Sequence, residues 1–367
     1  DYQPLETLYP RSWMIDVSDD GFGPALGANL SGEDMAGWHR WSLHATLGIN
    51  RQNVNADASW TYARTPLFLD ARFFRRVAPR GGLAVNGENL TWVEDAIGGE
   101  VRVGYQLPEA FSRQRVDLRW RGTYVDNLET IEARLDPNES PPTLPELGFR
   151  SELRLSWSYS DLERYGYDIS NSGGRAFGFT VALAEPLIGS RYRAIELTWF
   201  VQQFVSMPWG ENHVLALNYT GGLSGGDLGR RGVFSLGGFP DSNPVNGLVS
   251  NEIIGGVALR GYPAYDRSGL SYHLLQVEYR FPIWRIDHGV LTLPVYLNRL
   301  HAALYMDAGD AFFDRFDLGT FRVGVGGHLM LDFTIGYVLP FTLRVGYARG
   351  LMDGGVDQFY GHIGVPF

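Results

Sequence analysis

The side chains best suited to chemistry are scattered along this 367-residue chain. Its eight histidines fall at no spacing that sets a base beside a serine nucleophile. Cysteine is absent, which excludes thiolate catalysis, disulfides and cysteine-ligated metals. "DAGDAFFD" at 307–314 offers one strong mid-strand carboxylate, Asp307. "DLERYGYDISNSGGR" at 161–175 lacks the ligand spacing of a calcium loop. "GGLSGGDLGRRG" at 221–232 is rich in glycine but opens no helix, so a phosphate cradle is not supported. No catalytic residue, metal ligand or cofactor site is expected, and the chain is not read as an enzyme. A net charge of −10 and a pI near 5.3 argue against general nucleic-acid binding.

One charged residue stands apart. Arg260 lies in "ALRGYPAY", with Leu259 before it and Gly261 and Tyr262 after it. The surrounding segment, 223–270, is long, Gly-rich and without regular pattern. Irregular segments of this length in compact proteins tend to be functional. "GVFSLGGF" and "EIIGGVALRGYPAY" contain enough apolar and aromatic residues to pack. A guanidinium that folds inward here needs carboxylate partners. Which carboxylates can reach it depends on the elements around the loop.

Those elements are strands. Residues 39–50 place Trp41, Leu43, Ala45, Leu47 and Ile49 on one face and Arg40, Ser42, His44 and Thr46 on the other. The same alternation runs through 115–125, 151–160, 191–205, 273–281 and 341–349. Weaker matches lie at 23–33, 55–65, 67–76, 98–107, 174–184, 212–222, 299–309, 321–333 and 358–367. One further strand, 88–95, makes the count even. No helical period competes, and no window approaches an uninterrupted apolar run long enough for a membrane helix. The fold class expected is all-β, with about 16 antiparallel strands.

A soluble sandwich and a membrane barrel differ in what their apolar faces meet. Segments of about ten residues span a bilayer at a tilt, whereas sandwich strands are usually about five or six residues. Trp, Tyr and Phe recur near segment ends, as in "SWTY", "FVSMPW" and "YRFPIW", which suits interfacial girdles. Full charges such as Asp117, Arg119, Arg154, Glu196 and Glu278 sit mid-strand, where a wet lumen tolerates them. The barrel is therefore preferred over 23–367, with 1–22 as a periplasmic connector. Both termini then lie on the periplasmic side. The acidic, Pro-rich 127–147 becomes an extracellular loop, and "SMPWGENH" and "FPIWRIDHGVLTLPVYL" become periplasmic connections. The long loop falls between the eleventh and twelfth strands.

Parity then supplies partners for Arg260. Glu278 shares its face with Gln276 and Arg280. On the next strand His301, Tyr305, Asp307 and Gly309 share the inward face, opposite Leu300, Ala302, Leu304 and Met306. Glu278 and Asp307 lie on neighbouring strands, and one forked guanidinium can reach both.

Here the sequence resembles the BamA/TamA superfamily of outer-membrane barrels. The resemblance rests on Leu259-Arg260-Gly261-Tyr262, on "VEYRFP" with Glu278, and on Tyr305-Met306-Asp307-Ala308-Gly309, and is specific across 255–312. It implies that the loop tip folds into the lumen and locks onto a wall formed by Glu278, Asp307 and Gly309. It also implies a weak lateral seam between first and last strands. Gly23, Gly27 and Ala28 at one end, and Ile363, Pro366 and Phe367 at the other, are its candidates. Pro366 removes a ladder donor there. Family members carry periplasmic POTRA domains before the barrel. Only about 22 residues precede the first expected strand, so a longer precursor is expected. The resemblance implies a bacterial outer-membrane location and partners among outer-membrane lipids, unfolded outer-membrane or secreted proteins, and periplasmic accessory proteins. The function expected is insertion or translocation of polypeptides. The alternatives are a passive solute channel and an anchor for a fused periplasmic or surface domain.

Overall fold

A computed structural model of the chain describes residues 2–64, 66–85, 88–128, 147–227, 233–238 and 258–364. Segments that alternate with period two pair edge to edge, because only pairing satisfies their backbone groups. The first eight strands are β1 (Ser12–Asp19), β2 (Pro24–Glu33), β3 (His39–Gly48), β4 (Val54–Arg64), β5 (Leu67–Val85), β6 (Glu88–Pro108), β7 (Arg113–Asn127) and β8 (Gly148–Ser160). Then come β9 (Arg175–Ala184), β10 (Ala194–Ser206), β11 (Val214–Gly226), β12 (Phe234–Leu236) and β13 (Arg267–Gly269). The last are β14 (Ser271–Gly289), β15 (Val295–Phe312), β16 (Arg322–Ile335), β17 (Leu339–Gly350) and β18 (Asp357–Gly364). Sixteen of them form one sheet in chain order, β11 being followed by β14, while β12 and β13 pair separately within the long loop.

The strand total expected from the sequence is found, but two of its parts differ. Ser12–Asp19 is a strand, paired along its length with β2, so residues 1–22 are more than a connector. In compensation, 88–95 and 98–107 are one strand, β6. The gap expected at 96–97 is absent: Ala96 and Ile97 continue the ladder opposite Arg76 and Arg75, and Gly98 and Gly99 follow opposite Phe74 and Phe73. A Cβ at Gly98 would press 2.5 Å from the Phe74 ring, so glycine there serves close packing and not a turn. The expected connection at 281–297 also differs. Most of it prolongs the β14–β15 hairpin, with register shifts between Pro282 and Trp284 and between Arg285 and His288.

The chain divides into two compact units: 1–108, 115–156 and 182–194; and 109–114, 157–181 and 195–367. In the first, one face of the sheet is laced by ion pairs, among them Arg102–Asp117 (3.0 Å), Arg119–Glu100 (3.6 Å) and Arg72–Asp57. The opposite face leaves Leu43, Leu47, Val116, Leu118 and Tyr124 exposed. Beside β2, the Tyr2 hydroxyl donates to Asp34 Oδ2 (2.6 Å) and the His39 amide donates to Oδ1 (2.8 Å). The Tyr2 ring meets Trp38 edge-on at 5.6 Å. In the second unit Leu275, Leu304 and Met306 are exposed on one face of β14 and β15. A single sheet has little interior of its own. The buried cluster Leu236, Leu259, Tyr262, Tyr272, Leu274 and Ala311 forms where the long loop lies against β14 and β15.

Candidate functional site

The site is built from the loop tip and five consecutive strands of the second unit. β14 contributes Gln276, Glu278 and Arg280, and β15 contributes Tyr305 and Asp307. Antiparallel register sets Gln276 opposite Asp307 and Glu278 opposite Tyr305, so the two carboxylates are diagonal neighbours on one face. Arg260 enters between them. Its Nε and Nη2 donate to Asp307 Oδ2 and Oδ1, each at 2.6 Å, and its backbone N–H adds a bond to Oδ2 at 3.1 Å. Nη1 donates to Glu278 Oε1 at 2.9 Å. The fork of guanidinium donors thus spans both acids.

Three further contacts complete the charge arrangement. Arg280 donates through Nε and Nη2 to the other Glu278 oxygen, Oε2, at 3.0 and 2.7 Å. Two guanidiniums and two carboxylates therefore balance within one contact network. The Tyr305 ring lies 3.5 Å from the Arg260 guanidinium carbon, a close cation–π contact. Gln276 Nε2 donates to the Ala258 carbonyl (3.2 Å) and approaches Asp307 Oδ1 (3.4 Å). Asp307 is fully buried and Arg260 is 5% exposed, so these bonds replace water almost entirely.

The rest of the tip is held by β16, β17, β18 and the β17–β18 turn. The Tyr262 hydroxyl donates to the Val323 carbonyl (2.9 Å) and accepts from the Met352 amide (3.1 Å). The Gly261 amide donates to Gln358 Oε1 (3.3 Å), and its carbonyl accepts from the Val356 amide (2.9 Å). Gly261 has φ +87°, and a Cβ on it would lie 2.5 Å from the backbone of Arg349 and Gly350. Gly324 is needed for the same closeness, because a Cβ there would collide with the Arg260 carbonyl. Nothing holds the tip covalently. It is fixed by charge, backbone bonds and the missing side chains of two glycines.

Of the residues singled out in the sequence, Leu259, Arg260, Gly261, Tyr262, Glu278 and Asp307 are brought together. Gly309 is not part of the contact. It faces Leu274 across the β14–β15 ladder, where a Cβ would lie 2.5 Å from the His273 carbonyl. The seam assignment is corrected at its first end. Gly27 and Ala28 sit in β2, paired with Asp16 and Ile15 of β1, and Gly23 lies between these strands. The terminal strand of the sheet order is β1, so these residues are interior. At the other end Ile363 is in β18, opposite Leu343, while Pro366 and Phe367 lie outside the described residues.

Sequence reasoning missed a second anchor. Arg267 on the returning limb donates to Asp310 through Nε (2.6 Å) and Nη2 (3.0 Å), and the Asp310 side chain is fully buried. Period-two parity puts position 310 on the face opposite 307, so alternation alone gave no reason to join it to the loop. It also missed Gln358 and Gly324, which lie far from the motif in the chain. Among the described residues no group of His, Asp and Glu is arranged to hold a metal ion.

No protein-family model matches the chain, and no curated protein matches it. Among solved structures it is similar to BamA from Haemophilus ducreyi lacking POTRA domains 1–3. That match has 13% identity and a TM-score of 0.56 over 96% of this chain and 69% of the other. It is also similar to CdiB from Escherichia coli, at 12% identity and a TM-score of 0.51 over 96% of this chain and 61% of the other. The chain thus spans between three fifths and seven tenths of the length of these two structures. At such identities the likeness is one of fold, and the fold of this chain is that of BamA and CdiB.

Proposed function

We propose that the chain is a membrane-spanning barrel of the bacterial outer membrane that handles polypeptides, either inserting them into the membrane or passing them across it. The reading assigns it no catalytic step and no cofactor. An exposed apolar face on strands of this length supports the membrane setting, because the other sheet among the described residues has only two short strands and cannot cover it. The single observation that carries the functional reading is the anchored loop tip. A passive pore or an anchor has no need of a buried guanidinium bridging two strands, whereas a channel that must both seal and yield does. A fold shared with BamA and CdiB is consistent with this reading but does not establish it. With β1 and β18 at the two ends of the sheet order, the edge strands that a sideways opening requires are these two and not β2. Lipids of the outer membrane, unfolded client proteins and periplasmic accessory proteins are the partners this reading requires.

The test uses the full chain reconstituted in lipid vesicles. An unfolded eight-stranded outer-membrane protein is added, and its folding is followed by its heat-sensitive mobility on gels. Vesicles bearing the chain should fold it several-fold faster than empty vesicles, and Arg260→Ala should lose that gain. Equal rates with and without the chain, for this substrate and for a secreted β-rich substrate, would refute polypeptide handling.

A further inference from the structure

The segment 161–174, which joins β8 to β9, forms a neck and a tip. In the neck, Glu163 and Gly173 bridge, with bonds from the Glu163 amide to the Gly173 carbonyl (3.0 Å) and from the Ser172 amide to the Glu163 carbonyl (2.9 Å). From there its contacts step across the sheet strand by strand. Ser206 Oγ and Gln203 Nε2, on β10, donate to the carbonyls of Ser172 (2.7 Å) and Gly174 (3.1 Å). Leu162 packs on Phe204 of β10 and on Val214 and Ala216 of β11. Arg285 of β14 lies 4.1 Å from the Tyr167 ring centre. Arg299 of β15 donates through Nη1 to the carbonyls of Tyr167 (3.1 Å) and Asp168 (2.6 Å).

The tip therefore rests four strands away from its root on β9. Four strand spacings are about 19 Å. The seven steps from Arg175, where β9 begins, back to Asp168 reach about 23 Å when extended. That reach is enough to bring the tip across β10, β11 and β14, and the tip closes in a turn, with the Asp168 amide donating to the Tyr165 carbonyl (3.0 Å). Its end is fixed by a guanidinium that is itself fixed. Arg299 Nε donates to Asp332 Oδ2 (2.8 Å), and Asp332 also accepts from Thr342 Oγ1 (2.6 Å). Asp168, Ile169 and Ser170 are buried beneath the crossing, while Tyr165 and Tyr167 remain exposed. By period two Arg299 shares the face of β15 with Asp307. The crossing and the Arg260 tip therefore occupy the same face, about 27 Å apart along the strand.

We propose that residues 161–174 are a strap across the end of the pore opposite the Arg260 loop, that Arg299 is its pin, and that the strap limits the leak of small solutes. This rests on the barrel reading above. The experiment measures single-channel conductance of the full chain in planar lipid bilayers, with insertion checked by vesicle flotation. Arg299→Ala, and a variant in which 164–171 are replaced by two glycines, should each raise conductance at least twofold. The chain has no cysteine, so a bridge can be placed cleanly. Tyr167→Cys with Arg285→Cys, joined by a short bismaleimide in the Arg299→Ala background, should return conductance to the wild-type level. Wild-type conductance in both opened variants, or high conductance after bridging, would overturn the strap while leaving the barrel intact. Failure of the wild type to enter vesicles would overturn the barrel reading and the strap with it.

Discussion

Replacing Arg260 with alanine removes the Nε and Nη2 bonds to Asp307, the Nη1 bond to Glu278 and the contact with the Tyr305 ring. The loss is unequal between the two acids. Glu278 keeps both bonds from Arg280, so its charge stays partnered. Asp307 keeps the backbone amide of position 260 and the weaker approach of Gln276, in a site with no solvent access. Breaking one side of a buried pair typically costs about 3–5 kcal/mol. The surviving Arg280 and amide bonds argue for the lower part of that range. A loss of about 3–4 kcal/mol corresponds to roughly a 10²–10³-fold fall in the ratio of docked to undocked loop. The sheet ladder does not depend on Arg260, so the loop should release while the barrel stays folded. Hydrogen exchange of 258–266 in detergent should speed up by about that factor, with amides of β15 and β16 unchanged. The double variant Arg260→Met with Asp307→Asn should recover most of the loss, because it leaves no buried charge uncompensated. Unchanged protection of 258–266 in Arg260→Ala would refute the pairing as the source of loop docking, and so would loss of the whole sheet together with the loop.

Gly261→Ala places a Cβ against the backbone of β17 at a positive φ, and should weaken docking by about 1–3 kcal/mol, read by the same exchange measurement. Gly166→Ala, where a Cβ would meet nothing within 4 Å, is the control and should leave the loop unaffected. Tyr262→Phe keeps the buried ring and leaves the Val323 carbonyl its bond from the Leu351 amide (2.8 Å), but it orphans the Met352 amide. It should cost about 1–3 kcal/mol and selectively speed exchange at Met352. Near the amino terminus, burial pushes the Asp34 carboxyl up, but the Tyr2 hydroxyl and the His39 amide outweigh it and hold the pKa below the usual carboxylate value. A depressed folded pKa stabilises above the ordinary value and is lost as pH falls through the folded one. The Tyr2–Trp38 contact should therefore persist from pH 7 to about 4 and open only below that. Fluorescence of the chain carrying Trp38 alone, with and without Asp34→Asn, checks the sign, and release above pH 5 would contradict it.

Period-two alternation makes much of this protein legible from its residues alone, because in a strand the side to which a residue points is set by its own parity. That local rule suffices for the all-β class, for the faces of β3, β7 and β15, and for placing Glu278 and Asp307 on one surface beside Arg260. Composition and spacing also removed thiolate chemistry. Pairing is a different matter, since which strand ends a sheet is a property of neighbours. Trp13, Ile15 and Val17 alternate with Met14, Asp16 and Ser18, yet so short a run shows itself as β1 only when β2 lies beside it. The segments 88–95 and 98–107 look separate until Ala96 and Ile97 are seen to pair with β5 and Gly98 to leave room for Phe74. Asp310 falls on the wrong parity and is nonetheless paired, because Arg267 approaches it from a separate limb of the loop. Gln358, Gly324 and the strap from 161 to 174 act through contacts between residues far apart in the chain or across four strands. Such contacts carry no local signal. They arise when backbone closeness, side-chain reach and burial coincide in three dimensions, and only the tertiary structure decides that.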